Sequence, residues 1–169
     1  MTRQQFEVYL LGMRIEIAPT KIVGIVEIGP SSFNEVENSG AKFGDSMWQK
    51  FIPMVAGKGL SLDRKMYGVS WPADDQVPPQ LINYFVGFEK LDGIATENFQ
   101  ELPIAGGAYF EYIYKGPIQE IDNGFMEAYM NSLPSSGLKS REGQHLEIYP
   151  ADYDPSAPEI TFQILIPVE

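Results

Sequence analysis

The sequence contains no cysteine and a single histidine, His145, among its 169 residues. Without cysteine there can be no disulfide bond, no thiolate nucleophile and no Cys/His zinc site. A functional site in this chain must therefore be built from carboxylates, aromatic rings, hydroxyl groups and the backbone. We expect neither a metal ion nor a cofactor.

Basic residues are also scarce, since 12 Lys and Arg stand against 23 Asp and Glu and give a formal net charge of -11. This charge repels the phosphates of nucleic acids and anionic membrane surfaces, and it favours cationic ligands. The start of the chain does not resemble a signal peptide, and no apolar run approaches the roughly 18 residues of a membrane helix. We therefore expect a cytoplasmic protein without direct contact to nucleic acid or membrane.

Strand and helix patterns alternate along the chain, after a start over residues 1–12 that looks like an irregular lead-in or an extra edge segment. Strands are indicated by β-branched and aromatic stretches, and helices by apolar residues spaced three and four apart. Proline closes both helical patterns. The predicted elements are a strand over 14–28 bent at Pro19, a helix over 39–53, strands over 65–71, 81–89 and 107–114, a helix over 118–134, and strands over 144–149 and 160–168.

The order strand, helix, strand, strand occurs twice, which is typical of an internal repeat. When the halves are superposed, Trp-Pro-Ala-Asp at 71–74 falls on Tyr-Pro-Ala-Asp at 149–152, and 82–86 falls on 160–164. The sequence thus predicts a single α+β domain over 1–169 with tandem β-α-β-β repeats, at about 14–90 and 104–168, related by a pseudo-two-fold axis. We expect antiparallel sheets that form a ligand groove, with helices packed on the outer side.

Several short motifs resemble the gyrase-inhibitor-like family, whose fold is shared by the effector-binding domains of AraC-type and multidrug-sensing bacterial transcription regulators. The motifs are Gly107–Phe110 leading to Tyr114–Pro117, Leu133–Gly137, Leu146–Tyr149 and Ile164–Val168, with 67–69 and 84–87 in the first half. Leu146 departs from the family's usual aromatic residue. The resemblance implies a small-molecule groove at the pseudo-two-fold axis, with a carboxylate at its floor and aromatic walls. The chain leaves no room for the DNA-binding domain of the regulators, so we expect a stand-alone protein.

The carboxylate that best fits this description is Glu147. Strand alternation places Glu147 on one face with His145 and Tyr149, and if Leu146 and Ile148 pack under a helix, Glu147 faces the groove. A carboxylate among aromatic rings is costly to leave ionised and unpaired, so it takes up a proton or binds a cation. Alternatively Glu147 lies on a solvated sheet face, as is common for Glu, and only the resemblance favours the groove.

Tryptophan and tyrosine side chains are the predicted groove walls, because their rings can stack on a ligand and bind cations. Plain packing explains Trp48 equally well, and Glu111 fits a solvent-facing position as well as a groove position. The predicted ligand contacts besides Glu147 are Tyr149, Trp48, Tyr67, Tyr84, Tyr112, Tyr114, Trp71 and Glu111.

These features favour a binding protein over an enzyme: one that holds a hydrophobic, aromatic or cationic small molecule and has a regulatory or drug-sequestering role. Two alternatives stay open on the resemblance. One is a protein–protein regulator such as a gyrase inhibitor. The other is a hydrolase of strained electrophilic compounds, with Glu147 as general base and Tyr112 or Tyr67 as proton donor.

Overall fold

The computed structural model describes residues 12–94 and 96–169, so the predicted lead-in falls almost entirely outside the described residues. In the described part, eight strands form one antiparallel sheet. The strands are β1 (Met13–Ile17), β2 (Thr20–Pro30), β3 (Met66–Pro72), β4 (Leu81–Glu89), β5 (Gln100–Ile104), β6 (Gly107–Gly116), β7 (His145–Tyr149) and β8 (Ile160–Pro167). Seven of them overlap predicted strands, and the short β5 was not predicted.

Two helical segments follow β2 and β6. The first is α1 (Ser39–Gly57), and the second consists of a 3-10 turn (Ile118–Glu120), α2 (Ile121–Glu127), a π-helical turn (Ala128–Ser132) and α3 (Leu133–Ser136). The prediction that Pro53 and Pro134 end the helices was wrong. Beyond Pro53, Val55 continues the buried face of α1, and this packing offsets the hydrogen bond that a proline removes.

The predicted fold class is confirmed, because the order strand, helix, strand, strand occurs in β2-α1-β3-β4 and again in β6-α2-α3-β7-β8. The order of strands in the sheet is β1-β6-β8-β7-β3-β4-β2-β5. Within each repeat the first strand pairs with the last, and the last pairs with the middle one. The two middle strands, β3 and β7, pair with each other at the centre of the sheet, where the pseudo-two-fold axis passes.

The sheet curls until its two ends meet. Only Ala18 and Pro19 separate β1 from β2, although these strands lie near opposite ends of the sheet, and two residues likewise join β5 to β6. Such links span at most about 11 Å. The inside of the curl is filled by an inner cluster with members from every strand from β2 to β8: Ile22, Tyr67, Val69, Phe85, Ile104, Tyr109, Leu146, Ile148 and Leu165.

Both helical segments pack on the outer face of the curled sheet. Met47, Phe51 and Val55 of α1 belong to the cluster on this face, together with Ala128 and Leu133 of the second segment. The helices therefore flank the groove on one face, whereas we expected them on the side opposite to it. The difference arises because side chains fill the inside of the curl and leave no room for a groove there.

One part of the repeat alignment was out by one residue. Trp71 packs against the inner cluster, whereas Tyr149 belongs to the outer one, so the two are not equivalent positions. In the alignment of the repeats, Tyr84 matches Phe162. Ser70 pairs with Tyr84, and Tyr149 stacks on Phe162, so Ser70 is the equivalent of Tyr149. Two residues earlier, Gly68 is therefore the equivalent of Glu147. The alignment had been placed on the shared Pro-Ala-Asp sequence. A shift of one residue moves every side chain of a strand to the other face of the sheet, so the aligned residues were not equivalent.

Asp122 of α2 connects the two repeats and caps α1. Its carboxylate accepts hydrogen bonds from Ser32 Oγ at 2.6 Å and from the backbone N–H of Ala41 at 3.2 Å. The N-cap residue itself, Asn38, makes no side-chain cap hydrogen bond. The first turn of α1 is therefore capped by a side chain from the other repeat.

The Asp122→Ala variant is expected to lower the free energy of unfolding by about 1–3 kcal/mol, because it removes a cap and leaves buried donors unpaired. Urea unfolding followed by circular dichroism measures this loss. The matched control is Glu127→Ala, which removes an exposed acid of the same helix and is expected to change stability by less than about 0.5 kcal/mol. Equal stability of the two variants would contradict the capping role.

Among the described residues, no helix is long and apolar enough to span a membrane.

Candidate functional site

An open groove of about 2220 Å³ lies between α1 and the second helical segment, above the centre of the sheet. Typical small-molecule pockets measure about 300–1,000 Å³, so a ligand of ordinary size would occupy only part of it. The part that matters is where polar and aromatic side chains converge. That place is the centre of the sheet, formed by β7, its neighbour β3, and β4 on the other side of β3.

Glu147 stands at the floor of this groove. Because strand β7 alternates, His145, Glu147 and Tyr149 face the groove while Leu146 and Ile148 join the inner cluster. The aliphatic pair therefore packs inside the curl, and not under a helix as expected, but Glu147 faces the groove all the same.

A chain of hydrogen bonds connects this carboxylate to helix α1. Tyr84 Oη donates to Glu147 Oε2 at 2.5 Å. Trp48 Nε1 in turn donates to Tyr84 Oη at 3.3 Å. The position of the carboxylate is thus fixed from the sheet and from the helix at once.

Because Gly68 has no side chain, the carboxylate of Glu147 can occupy the space beside it. The two residues pair across β3 and β7, and a Cβ atom at position 68 would lie 2.1 Å from Glu147 Oε2 and 2.5 Å from Tyr84 Oη. Two equivalent residues face each other at the pseudo-two-fold axis, so there is room for one long side chain only. The second repeat supplies the glutamate, and the first supplies the glycine.

Burial raises the pKa of Glu147 from 4.5 to about 7. Hydrogen bonds from Tyr84 and Tyr149 oppose this shift, and the negative charge of Asp122 adds to it. The ion pairs of the described residues lie on the surface and leave Glu147 without a cation. The site therefore holds a carboxylate that is protonated in a substantial fraction near neutral pH.

Aromatic rings form the wall beside the carboxylate. The rings of Trp48 and Tyr149 meet edge to face with centroids 5.3 Å apart, and Tyr153 meets Tyr149 in the same way at 4.7 Å. Phe43 packs against Tyr84 with centroids 6.0 Å apart. We did not predict Tyr153 and Phe43. Phe43 lies five residues before Trp48 in the apolar pattern of α1, which is a signal that could have found it.

The GyrI-like small molecule binding domain is the protein family whose model matches this chain, over residues 14–169. The chain belongs to the GyrI-like family. No curated protein matches it. Solved structures with the same fold include SAV2435 bound to tetraphenylphosphonium, at 15% identity and a TM-score of 0.68, with 94% of this chain and 93% of that chain covered.

Two further structures share the fold. A putative bacterial transcription regulation protein from Staphylococcus aureus MU50 is 18% identical with a TM-score of 0.66, over 94% of this chain and 97% of that one. The EcmrR C-terminal domain is 17% identical with a TM-score of 0.61, over 94% of this chain and 96% of that one. The predicted resemblance to the gyrase-inhibitor-like family is confirmed by the family model, and these structures show that the EcmrR C-terminal domain shares the fold.

In this GyrI-like domain, the structure brings together four of the predicted contact residues. Glu147, Tyr149, Trp48 and Tyr84 line one part of the groove. Trp71 reaches only the groove rim, because alternation along β3 directs its ring to the inner cluster. The four residues come from both repeats, as expected for a site at the pseudo-two-fold axis.

Four other predicted residues do not reach the groove. Tyr67 belongs to the inner cluster and donates a hydrogen bond to Glu89 at 2.7 Å. Tyr112 shares the face of Glu147, but Ile164 of β8 pairs with both and stands between them. Glu111 accepts a hydrogen bond from Gln163 at 2.6 Å, and Tyr114 is a core residue that donates to the Pro117 carbonyl at 2.5 Å.

The second half of this GyrI-like groove contains a further pair that we did not predict as a site. Tyr129 and His145 line it and are hydrogen bonded through Tyr129 Oη and His145 Nδ1. In residues 12–94 and 96–169, no group of three or more His, Asp or Glu side chains converges as a metal site would require.

Proposed function

We propose that this small-molecule-binding domain binds lipophilic cations, with ionised Glu147 as the counter-charge and Trp48, Tyr84 and Tyr149 as the aromatic wall. The observation that carries the proposal is a carboxylate that is buried among rings without a cationic partner. A buried charge without a partner is unfavourable, and a cation that enters the groove removes this cost. The phosphonium ion bound to SAV2435, a protein of the same fold, supports the same class of ligand.

Charge selectivity follows directly from this arrangement. Asp45, Asp74 and Asp122 also line the groove. They raise the local concentration of cations and repel anions. Aromatic faces contribute to binding of a cation whose charge is spread over apolar groups, because such an ion loses little hydration on entry.

The test uses two ions of the same shape and opposite charge. Tetraphenylphosphonium is expected to bind in isothermal titration calorimetry, and tetraphenylborate is expected not to bind. The Glu147→Gln variant keeps the acceptor for Tyr84 but removes the charge, so it is expected to weaken phosphonium binding about 10- to 100-fold.

Glu111→Gln is the matched control, because it removes an equal charge from β6 outside the groove. It is expected to bind the phosphonium ion as the wild type does. Equal binding of both ions, or equal affinity in the Glu147→Gln variant, would contradict the proposal.

Hydrolysis of electrophilic compounds is the second candidate, favoured by the contact between Glu147 and Tyr84. A carboxylate with a pKa near 7 beside a phenol can act as general base, with the phenol as proton donor. Tyr84 would then replace Tyr112 and Tyr67, which do not reach the groove. Following bound strained-ring electrophiles for product formation distinguishes turnover from binding. The cytoplasmic location, the absence of nucleic-acid contact and a protein partner stay predictions.

A further inference from the structure

The groove has a second half, beyond Glu147, with chemistry of its own. The rings of Tyr129 and His145 stack with centroids 5.5 Å apart and an interplanar angle of 20°. The edge of Phe33 meets Tyr129 at 5.4 Å, and Ser70 pairs with His145 across β3 and β7. We name Tyr129, His145 and Ser70 the distal group.

His145 presents a proton donor to the groove. Burial, together with the charge of Arg141, lowers the pKa of His145 to about 4, so its ring is neutral at pH 7. Burial raises the pKa of Tyr129, which therefore stays a phenol, and we assign its hydroxyl as the donor to Nδ1 because the imidazole nitrogen is the more basic partner. In a neutral imidazole that accepts at Nδ1, the proton lies on Nε2.

This Nε2–H has no acceptor among residues 12–94 and 96–169, and the half-buried ring lines the groove. Ser70 Oγ also lines the groove and forms no hydrogen bond within the same residues. Both groups face the open groove, where water is the competing hydrogen-bond partner. A ligand that displaces this water with hydrocarbon leaves a donor unpaired, whereas one that brings an acceptor does not.

The spacing of the two halves follows from strand geometry. His145, Glu147 and Tyr149 are alternate residues of β7, so each step between them measures about 6–7 Å. Trp48 contacts Tyr149 at one end of this row, and Tyr129 contacts His145 at the other. Glu147 therefore lies between an aromatic half and a half that donates hydrogen bonds.

We propose that the distal group is an acceptor subsite, which binds a carbonyl or ether oxygen of the same ligand whose cationic centre lies against Glu147. This inference rests on the proposed function and names its ligand class. The ligand is a lipophilic cation that carries a neutral hydrogen-bond acceptor about 6–7 Å from its charge, which is one step along the strand. Six acidic side chains line the groove against three basic ones, Lys42, Arg64 and Arg141, so the groove as a whole repels a carboxylate, although Arg141 beside His145 attracts one.

The test compares two phosphonium ions of equal chain length. One is triphenylphosphonium that carries a butyrate ethyl ester, and the other is heptyl-triphenylphosphonium, which has no acceptor. The wild type is expected to bind the ester about five- to tenfold more tightly than a His145→Phe variant does, since one hydrogen bond is lost. The heptyl compound is expected to bind the wild type no more tightly than the His145→Phe variant, because it leaves the imidazole donor unpaired in the wild type.

A second measurement, nuclear magnetic resonance of the histidine ring, uses the wild-type protein and so does not require that a variant folds. The chain contains one histidine, so imidazole nitrogen signals of protein labelled with 15N-histidine all belong to His145. When the ester binds, the Nε2 resonance is expected to keep the position of a hydrogen-bonded N–H, and when the heptyl compound binds it is expected to move upfield, because the donor is left unpaired. Equal shifts with both compounds, or equal loss of affinity for both in His145→Phe, would overturn the acceptor subsite.

The same titrations distinguish failure of the proposed cation site from failure of the acceptor subsite alone. If neither phosphonium ion binds the wild type, the cation site and the subsite fall together. If both ions bind and Glu147→Gln weakens both, but the ester gains nothing from His145, then only the subsite falls.

Discussion

The Gly68→Ala variant is expected to lose tetraphenylphosphonium binding by about 100-fold or more while the sheet remains folded. The added methyl group would lie 2.1 Å from Glu147 Oε2 and 2.5 Å from Tyr84 Oη, distances that no side chain can accept. Both side chains must therefore move away from the place where β3 and β7 cross the pseudo-two-fold axis. The change removes the counter-charge and part of the wall together, so its effect exceeds that of neutralising Glu147 alone.

Gly44→Ala is the matched control for this experiment. A Cβ atom there has one near neighbour, Tyr84 Cε1, at an ordinary contact distance of 3.8 Å. Its binding is expected to stay close to that of the wild type, measured by the same calorimetric titration. Urea unfolding of both variants shows that the proteins are folded. Wild-type affinity in Gly68→Ala would mean that ligand binding does not require the carboxylate of Glu147 to lie beside position 68.

The Glu147→Gln variant is expected to be more stable than the wild type at alkaline pH, although it binds ligand less well. The pKa of Glu147 is 4.5 without burial and about 7 in the folded chain, so the folded state binds the proton more tightly than the unfolded state does. The stability that this proton supplies is fully present below about pH 4.5. It is lost as the pH rises through about 7.

Glutamine keeps the shape without this loss, so the difference in the free energy of unfolding is expected to be about 2–3 kcal/mol at pH 8 and close to zero near pH 4.5. Denaturant unfolding of wild type and variant at both pH values, without ligand, measures it. The control is Glu111→Gln, which removes a carboxylate outside the groove and so separates the effect at position 147 from a general effect of net charge. A constant difference across the pH range would show that Glu147 is ionised without cost in the folded protein.

The repeat and the strand-helix order could be predicted from patterns in the sequence, whereas the prediction that Glu147 faces the groove depended on the family resemblance. Alternation along β7 is a property of any strand, so Glu147 faces away from Leu146 and Ile148 whatever covers that pair. The prediction of its orientation held even though its stated support, a helix above the aliphatic pair, was absent.

The distribution of the aromatic residues could not be predicted in the same way. Periodicity gives the face of a strand but not the neighbour across the sheet, so Tyr112 was grouped with Glu147 although Ile164 separates them. Tyr67 was included because nothing in the sequence showed that the sheet curls around its own inner face. The curl depends on two-residue links between strands that are distant in the sheet, and their spatial meaning emerges only from the complete pairing order.

The pairing of β3 with β7 at the pseudo-two-fold axis limits how such a protein could be assembled from single repeats. A homodimer of two identical single repeats would place the same residue twice at the axis. Two glutamates there would collide and repel each other, and two glycines would leave the groove without a charge. The two positions can differ only when the two repeats have different sequences, and a single chain that carries both repeats always brings one glutamate and one glycine to the axis.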